Sequence, residues 1–500
     1  MKGGQGRKSL EIKDFSGGLV TKSAPKDLDT KYSVDCLNVY AEGKTLRERS
    51  GVTVVNPTSA TGAGNGVYNW VKSSSSQWLL MLWGTALTKM DVVTGVWDGS
   101  VDTVVASTAD GTAFTGGFMD FVTYGNILVM TTDARDKPQV MTTSDTSYHN
   151  LATGGSGTAP QAKYCQVWKS HVWLLNTSSD EDIVFNSAVN TYNSWGSADS
   201  ASYSLITPGD IGVTGSFIHF GRMYVTKKWS IHRFTYTGNV SPLVEIRETK
   251  STIGTSSPRS IKNVNIPSKG ESVIFLGSDR NIYVFDGIDA TPVADSISVT
   301  NGLATVYTAN INTGNIGKCF AIVDERIGQY EVFFSVGTST VLSNSIIYDY
   351  LSGALWPTDA RPYSAGDVAD DGSFGNKRVY VQDASSGKLY LFNQGNSDNT
   401  VAINSFWTSP KVGKSSMLSK FDEIEVETYS VASCNPTFSW RADWESSWVN
   451  NTMGASTNSH IWNPGRVDNL IQFKIAHNTT TAGFKLWAIN LGERLLGGGK

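Results

Sequence analysis

Residues 273–285 read VIFL, GSDRN, IYVF: an apolar run, a five-residue polar turn and a second apolar run. Two runs rich in β-branched and aromatic residues on either side of turn-forming residues predict a β-hairpin with a longer loop. The same arrangement recurs at residues 379–392, and again at 346–356, where IIY and ALW flank a turn. The hairpin is therefore one copy of a repeated unit.

Seven leading apolar runs of this kind occur along the chain, and neighbouring runs begin 45 to 57 residues apart. Their first residues are Trp78, Ile127, Val172, Met223, Val273, Tyr330 and Val379. A period of roughly 40 to 50 residues built from short strands is typical of β-propeller blades. One blade cannot bury its own apolar faces, so several must stack radially. Regular strand spacing also fits an antiparallel sandwich, but seven units in register favour the propeller.

The strand pattern divides the chain into three parts. Residues 1–55 are polar and irregular, which predicts an N-terminal arm or docking segment. The blades occupy residues 56–400. In residues 401–500 the strict alternation of 421–428 predicts a C-terminal β-sandwich. The expected fold is all-β: a β-propeller of six to eight blades, whose first and last blades need not be closed by neighbouring strands.

Charge and hydropathy exclude several functions. The chain has 41 basic and 45 acidic residues in 500, without a Lys/Arg block, so tight nucleic-acid binding is not expected. The longest apolar run, residues 78–83, is too short to span a bilayer, and the first residues lack the apolar segment of a signal peptide. We expect a soluble protein that is made in the cytoplasm.

Motifs for catalysis and cofactor binding are missing from the sequence. The four cysteines, Cys36, Cys165, Cys319 and Cys434, are too far apart for CxxC sites. The six histidines include no pair at metal-ligand spacing, and no P-loop, HExxH or GxSxG motif occurs. We therefore expect no cofactor, no bound metal, no catalytic residues and no enzymatic activity.

Two acidic clusters and a group of tryptophans leave a second function open. Residues 180–182 (DED) and 370–372 (DDG) could bind calcium or supply the carboxylate pair of a glycosidase, although acidic turns between strands are ordinary. Trp440, Trp444 and Trp448 could form a sugar-stacking platform or a partner-binding ridge, although burial in the sandwich core is favoured. The alternative function is a glycan-binding propeller or a propeller glycosidase.

Three N-terminal segments resemble the opening of the tail nozzle and hub proteins of short-tailed bacteriophages, including packaged-DNA stabilisation proteins. They are residues 15–19 (FSGGL), 35–40 (DCLNVY) and 43–51 (GKTLRERSG). In that family a Phe-x-Gly-Gly segment precedes an Asn-containing strand and a basic-to-Gly step. Here that step is Arg49-Ser50-Gly51, where the family commonly has proline before the glycine. Family members are also similar in having a β-propeller followed by a C-terminal β-module.

The resemblance implies a structural virion protein of the tail, made in the host cytoplasm. Such proteins assemble as homohexameric rings below the portal and adaptor, retain packaged DNA and conduct it on ejection without sequence-specific binding. A closed ring needs a heterologous interface between identical subunits. Phe15, Arg47 and Arg49 are the candidate contacts with neighbouring subunits or the adaptor. Alternatively, their segment packs along the C-terminal sandwich.

Overall fold

The computed structural model describes residues 8–496 apart from residues 22, 57–58, 74–75, 93–102, 108–110, 294–310, 371–375, 415, 417, 430–433, 456 and 481. Within these residues the chain forms 43 β-strands, and the helices are two short 3₁₀ turns, Pro258–Ser260 and Thr313–Lys318. Neither turn has the length or apolar character needed to cross a membrane. The expectation of an all-β protein is confirmed.

Seven four-stranded antiparallel sheets form the blades of a β-propeller. The strands of blades 1 to 3 are Gly64–Ser73, Ser76–Trp83, Ala86–Asp91 and Thr103–Val104; Met119–Tyr124, Ile127–Thr132, Gln139–Met141 and His149–Asn150; and Ala162–Trp168, His171–Thr177, Ile183–Asn186 and Ser202–Ser204. Those of blades 4 and 5 are Gly215–His219, Arg222–Thr226, Ile231–Tyr236 and Val244–Glu248; and Lys262–Ile266, Gly270–Leu276, Ile282–Phe285 and Ala290–Pro292. Those of blades 6 and 7 are Phe320–Asp324, Gln329–Phe334, Asn344–Asp349 and Ala354–Thr358; and Tyr363–Asp370, Lys377–Asp383, Leu389–Phe392 and Val52–Val54.

Blade 7 is completed by a strand from the other end of the propeller sequence. Its outermost strand, Val52–Val54, pairs with Leu389–Phe392 and precedes blade 1 in the chain. The propeller is thus closed by hydrogen bonds between its first and last segments, which protects the strand edges. The prediction of six to eight blades is confirmed, and the residues that the structure describes form seven.

The seven apolar runs of the sequence are the second strands of the seven blades. Each of these strands is buried on both faces, because alternate side chains enter the cores on its two sides. In blade 1, Leu80 and Leu82 pack in the core shared with blade 2, whereas Leu79 and Met81 pack against blade 7. A strand buried on both faces has no exposed side that must be polar, which explains why apolar residues follow one another in these runs without alternation.

A β-sandwich of two sheets packs beside the propeller. The strands of the larger sheet are Ser459–Trp462, Ser419–Tyr429, Lys485–Leu495, Thr45–Glu48 and Val39–Glu42, with Lys8–Ile12 and Arg466–Asp468 at its sides. Those of the smaller sheet are Val449–Thr452, Thr437–Ala442, Leu470–His477, Ser405–Thr408, Asp35–Leu37 and Val412–Gly413. A short parallel pair, Gly18–Leu19 with Tyr32–Ser33, completes this region.

The N-terminal segment differs from the expected arm, because most of it is built into the sandwich. Lys8–Ile12 pairs with Lys485–Leu495 in the larger sheet, and Asp35–Leu37 pairs with Ser405–Thr408 in the smaller one. One continuous apolar core joins the sandwich to blades 5, 6 and 7. The physical reason is that the N-terminal segment covers apolar parts of both sheets and so buries side chains such as Phe15 and Leu46.

Candidate functional site

The first strands of the seven blades surround a central cavity of about 430 Å³. One lining residue from each blade, in order, is Tyr68, Asp120, Gln166, Ser216, Lys262, Ala321 and Asp367. Smaller cavities of about 150 and 200 Å³ adjoin it and share Asp120 and Arg259 on one side and Lys262 and Asp367 on the other. A cavity of this size falls within the range of small-molecule binding sites.

Two carboxylates in the cavity connect neighbouring blades. Asp120 accepts a hydrogen bond at 2.9 Å from the backbone N–H of Cys165, which lies on the first strand of the next blade. Asp367 likewise accepts one at 2.8 Å from the backbone N–H of Asn69, across the junction of blades 7 and 1. First strands of adjacent blades do not form a backbone ladder, so these side chains satisfy donors that the sheets leave free.

Burial shifts the ionisation of both carboxylates. Desolvation raises the pKa of Asp120 to about 6, against the lowering effect of its backbone hydrogen bonds. Desolvation also raises the pKa of Asp367, and the positive charge of Lys262 opposes that shift. Carboxyl groups with a raised pKa in a cleft can hold a proton near neutral pH, as a general acid must.

Two cationic side chains complete the polar lining. Arg259, from the 3₁₀ turn before blade 5, donates to the carbonyl oxygens of Ser364 (2.7 Å) and Lys318, and it lies over the ring of Phe118. Burial lowers its pKa to about 10. Burial also lowers the pKa of Lys262, whereas Asp367 and Asp120 act to raise it. Arg259 is therefore held in place by the backbone of other blades.

The three residues predicted to contact other subunits have different environments. Phe15 is fully buried and packs edge-on against Trp407, with ring centroids 5.2 Å apart. Arg49 is buried and forms an ion pair at 2.5 Å with Asp398. Arg47 is partly exposed, and its guanidinium pairs with Glu42 at 2.8 Å. Phe15 and Arg49 thus join segments of one chain, and of the three only Arg47 reaches the surface.

The acidic clusters and tryptophans singled out in the sequence do not form a common site. Glu181 pairs with Arg135 at 2.6 Å and Asp182 with Lys227 at 2.7 Å. Asp370 is buried at the end of the first strand of blade 7, and Asp371 lies outside the described residues. In the described part of the chain, no group of three or more His, Cys, Asp or Glu residues is placed to hold a metal ion.

The tryptophans also differ from one another in exposure. Trp440 is buried beside Trp462 in the sandwich, whereas Trp444 is 73% exposed. Trp448 lies under the guanidinium of Arg441, 4.5 Å from it. The three rings therefore form no single stacking platform.

Sequence reasoning missed the cavity residues because each blade contributes only one to three of them. The available signal was a polar residue in the strand just before each apolar run, such as Asp120 in MDFVTY and Asp367 in YSAGDVAD. Only the radial arrangement of blades brings these isolated positions together.

No protein-family model and no curated protein sequence matches the chain. Similar solved structures include YCF48 from Cyanidioschyzon merolae, with 10% identity, a TM-score of 0.36 and coverage of 69% of this chain and 99% of that one. A structure of YCF48 bound to a D1 peptide has 7% identity, a TM-score of 0.38 and coverage of 69% and 95%. The exo-β-1,3-galactanase of Phanerochaete chrysosporium with galactose has 9% identity, a TM-score of 0.27 and coverage of 89% and 100%.

These similarities concern the propeller fold, at identities too low to transfer a reaction or a substrate. The expectation that the chain is not an enzyme rested on its fold and on the missing motifs. That inference is wrong, because glycoside hydrolases are among the similar structures. The resemblance of the N-terminal segments to phage tail proteins stays a prediction.

Proposed function

We propose that this chain is a component of the tail nozzle or hub of a short-tailed bacteriophage. The observation that carries the proposal is where the three resembling segments lie: they form the junction between sandwich and propeller. Asn38 donates from its amide to Asp359 at 2.6 Å, and the Arg49 guanidinium donates from Nε to Asn38 Oδ1 at 2.8 Å. Arg49 also pairs with Asp398, in the segment that follows blade 7.

Three glycines of the resembling segments, Gly17, Gly18 and Gly51, lie where a side chain has no room, whereas Gly43 faces open space. A Cβ on Gly18, whose φ is +74°, would come within 2.9 Å of the backbone of Leu355 in blade 6. A Cβ on Gly51 would lie 1.9 Å from the carbonyl oxygen of Ser397. These close approaches fit a motif whose role is to seat the sandwich on the propeller.

In the proposed role, identical copies form a ring around the path of the DNA. Neighbouring copies contact each other through a heterologous interface. A rigid connection between the two parts of each subunit suits a ring that must hold packaged DNA back. The formal net charge of −4 gives the wall little attraction for a phosphate backbone, so DNA would pass without being retained by it.

Immunogold electron microscopy on phage particles tests this proposal. An antibody raised against the recombinant chain is applied to particles from a lysate of the organism that carries the gene. Label confined to the tail is the expected result. Intact particles that contain the gene but take no label, while the same antibody detects the chain in the lysate, would contradict it.

A second candidate function is binding or hydrolysis of a glycan in the central cavity. The observation that favours it is the presence of two carboxyl groups, Asp120 and Asp367, in one cavity, with the pKa of Asp120 raised to about 6. Glycoside hydrolysis commonly uses two carboxyl groups, of which one is protonated near neutral pH.

Turnover assays with chromogenic aryl glycosides and polysaccharides test the second candidate. Asp120→Asn and Asp367→Asn should each abolish any turnover, whereas Asp286→Asn, in an exposed turn of blade 5, should leave it unchanged. Turnover that survives both cavity substitutions would place the reaction elsewhere.

A further inference from the structure

The ammonium group of Lys262 is the unusual feature of the central cavity. In the part of the chain that the structure describes, it has no hydrogen-bond acceptor and no ion-pair partner within 4 Å. The charges of Asp367 and Asp120 act on Lys262, and both carboxylates accept backbone hydrogen bonds, Asp367 from Asn69 and Val368 and Asp120 from Cys165 and Phe121. Each carboxylate oxygen keeps a second lone pair for a further donor. Lys262 remains partly accessible from the cavity that it lines.

Another lysine of the same chain shows how a buried ammonium is otherwise accommodated. Lys227 is fully buried, and its ammonium donates to Asp182 and to the carbonyl oxygen of Leu205, each at 2.7 Å. Removing a charged group from water without such partners is costly, so an unpaired ammonium in a cavity is a natural site for an anion.

The remaining lining limits the kind of anion. Asp120 and Asp367 offset the positive charges of Lys262 and Arg259 in the lining, so a compact dianion such as phosphate is not favoured, and the two carboxylates can accept hydrogen bonds from hydroxyl groups. The rings of Tyr68 and Phe121 stack in parallel, 5.2 Å apart, and give the cavity an apolar wall. Gln166 adds a polar side chain to the lining. A ligand with one carboxylate, several hydroxyls and an apolar ring face satisfies all of these groups.

We propose that the central cavity binds an acidic monosaccharide, a uronic acid, whose carboxylate pairs with Lys262 while its hydroxyls donate to Asp120 and Asp367. The inference takes its site from the second candidate function and requires only binding, with or without turnover. It does not depend on the role in a phage tail.

Isothermal titration calorimetry on the full chain tests this proposal with glucuronate and galacturonate as ligands. Glucose and galactose serve as uncharged counterparts, and acetate and phosphate serve as anions without a sugar ring. We expect a uronate to bind more tightly than all four. In Lys262→Met the affinity for that uronate should fall by about tenfold or more, as loss of a charge-assisted hydrogen bond implies.

The matched control is Lys269→Met, which removes an exposed lysine from a turn of the same blade and should leave the affinity unchanged. Circular dichroism and thermal unfolding establish that both variants are folded. The proposal is overturned if neither uronate binds to the folded chain, if Lys262→Met binds the uronate as the unsubstituted chain does, or if the uncharged sugars or simple anions bind equally well. Binding without turnover supports it and removes only the hydrolytic form of the second candidate function.

Discussion

The most consequential single residues lie in the sandwich, where Glu48 and His477 form a buried pair. His477 Nδ1 is 2.8 Å from Glu48 Oε2, and both side chains are 1% exposed. The hydroxyl of Ser405 donates to the same carboxylate, and Cys434 Sγ lies 4.0 Å from His477 Nε2. Burial by itself would lower the pKa of His477, but the contacts with Cys434 and Glu48 outweigh it and raise the pKa to about 9.

The first prediction concerns pH dependence. Because the pKa of His477 is higher in the folded chain than its ordinary value of 6.5, its contribution to stability is complete below pH 6.5 and is lost as the pH rises through about 9. The contribution is on the order of 3 kcal/mol. Urea unfolding between pH 6 and 10 should show this loss in the unsubstituted chain and a flatter profile in His477→Gln. Equal slopes in the two proteins would refute the assignment.

A second buried ion pair gives the next prediction. Arg361 donates to Glu331 at 2.7 and 2.9 Å, both residues are buried, and Arg361 also donates to the carbonyl oxygen of Ser50. Arg361→Met alone should lower the free energy of unfolding by about 3 to 5 kcal/mol, because the buried Glu331 is left charged without its counter-ion. The double variant Arg361→Met with Glu331→Gln should recover part of that loss. Additive losses in denaturant unfolding would show that the pair is not coupled.

At the level of strands, burial on both faces determines what could be read from the sequence. The second strands of the blades were predictable because each contains a run of consecutive apolar residues. The outermost strands Thr103–Val104 and Ser202–Ser204 are short and carry few apolar residues, so no comparable signal marks them. Lys8–Ile12 was also missed, because its partner Lys485–Leu495 lies at the other end of the sequence and short-range patterns contain no information about it.

The closing strand of blade 7 gives a prediction at this level. Gly51 immediately precedes Val52–Val54 and lies against the backbone of Ser397, where a Cβ would be 1.9 Å from the carbonyl oxygen. Gly51→Ala should therefore displace the closing strand and destabilise the fold by about 3 kcal/mol, at the upper end for overpacking. Gly314→Ala, whose nearest neighbour is the Asn312 amide oxygen at 3.3 Å, is the matched control. Thermal unfolding and limited proteolysis next to blade 7 measure the effect, and equal melting temperatures would contradict it.

For the whole molecule, residues 8–54 take part in both modules. They supply four strands to the sandwich and the last strand of the propeller, and they contain the Arg49 and Asn38 contacts between the two. The sequence could predict the propeller and the C-terminal sandwich, because their repeats and alternation are local. The joining role of the N-terminal segment depends on pairings across hundreds of residues, which local patterns do not reveal.

Removal of residues 1–50 tests this organisation. The truncated chain should lose the shared core of the sandwich and blades 5 to 7, because strands that cover both sheets are gone. Calorimetry should show one cooperative transition for those parts in the complete chain and a broadened transition at lower temperature in the truncated one. A truncated chain that unfolds at the original temperature would contradict the structural role of the segment.

The closing strand also has a consequence for biosynthesis. Val52–Val54 finds its partner strand more than 330 residues later in the chain, and Lys8–Ile12 finds its own only in Lys485–Leu495. Both strands are therefore synthesised several hundred residues before their partners, and their free strand edges are open to wrong partners during that time. Closure of the propeller through pairings so distant in sequence therefore predicts slow folding.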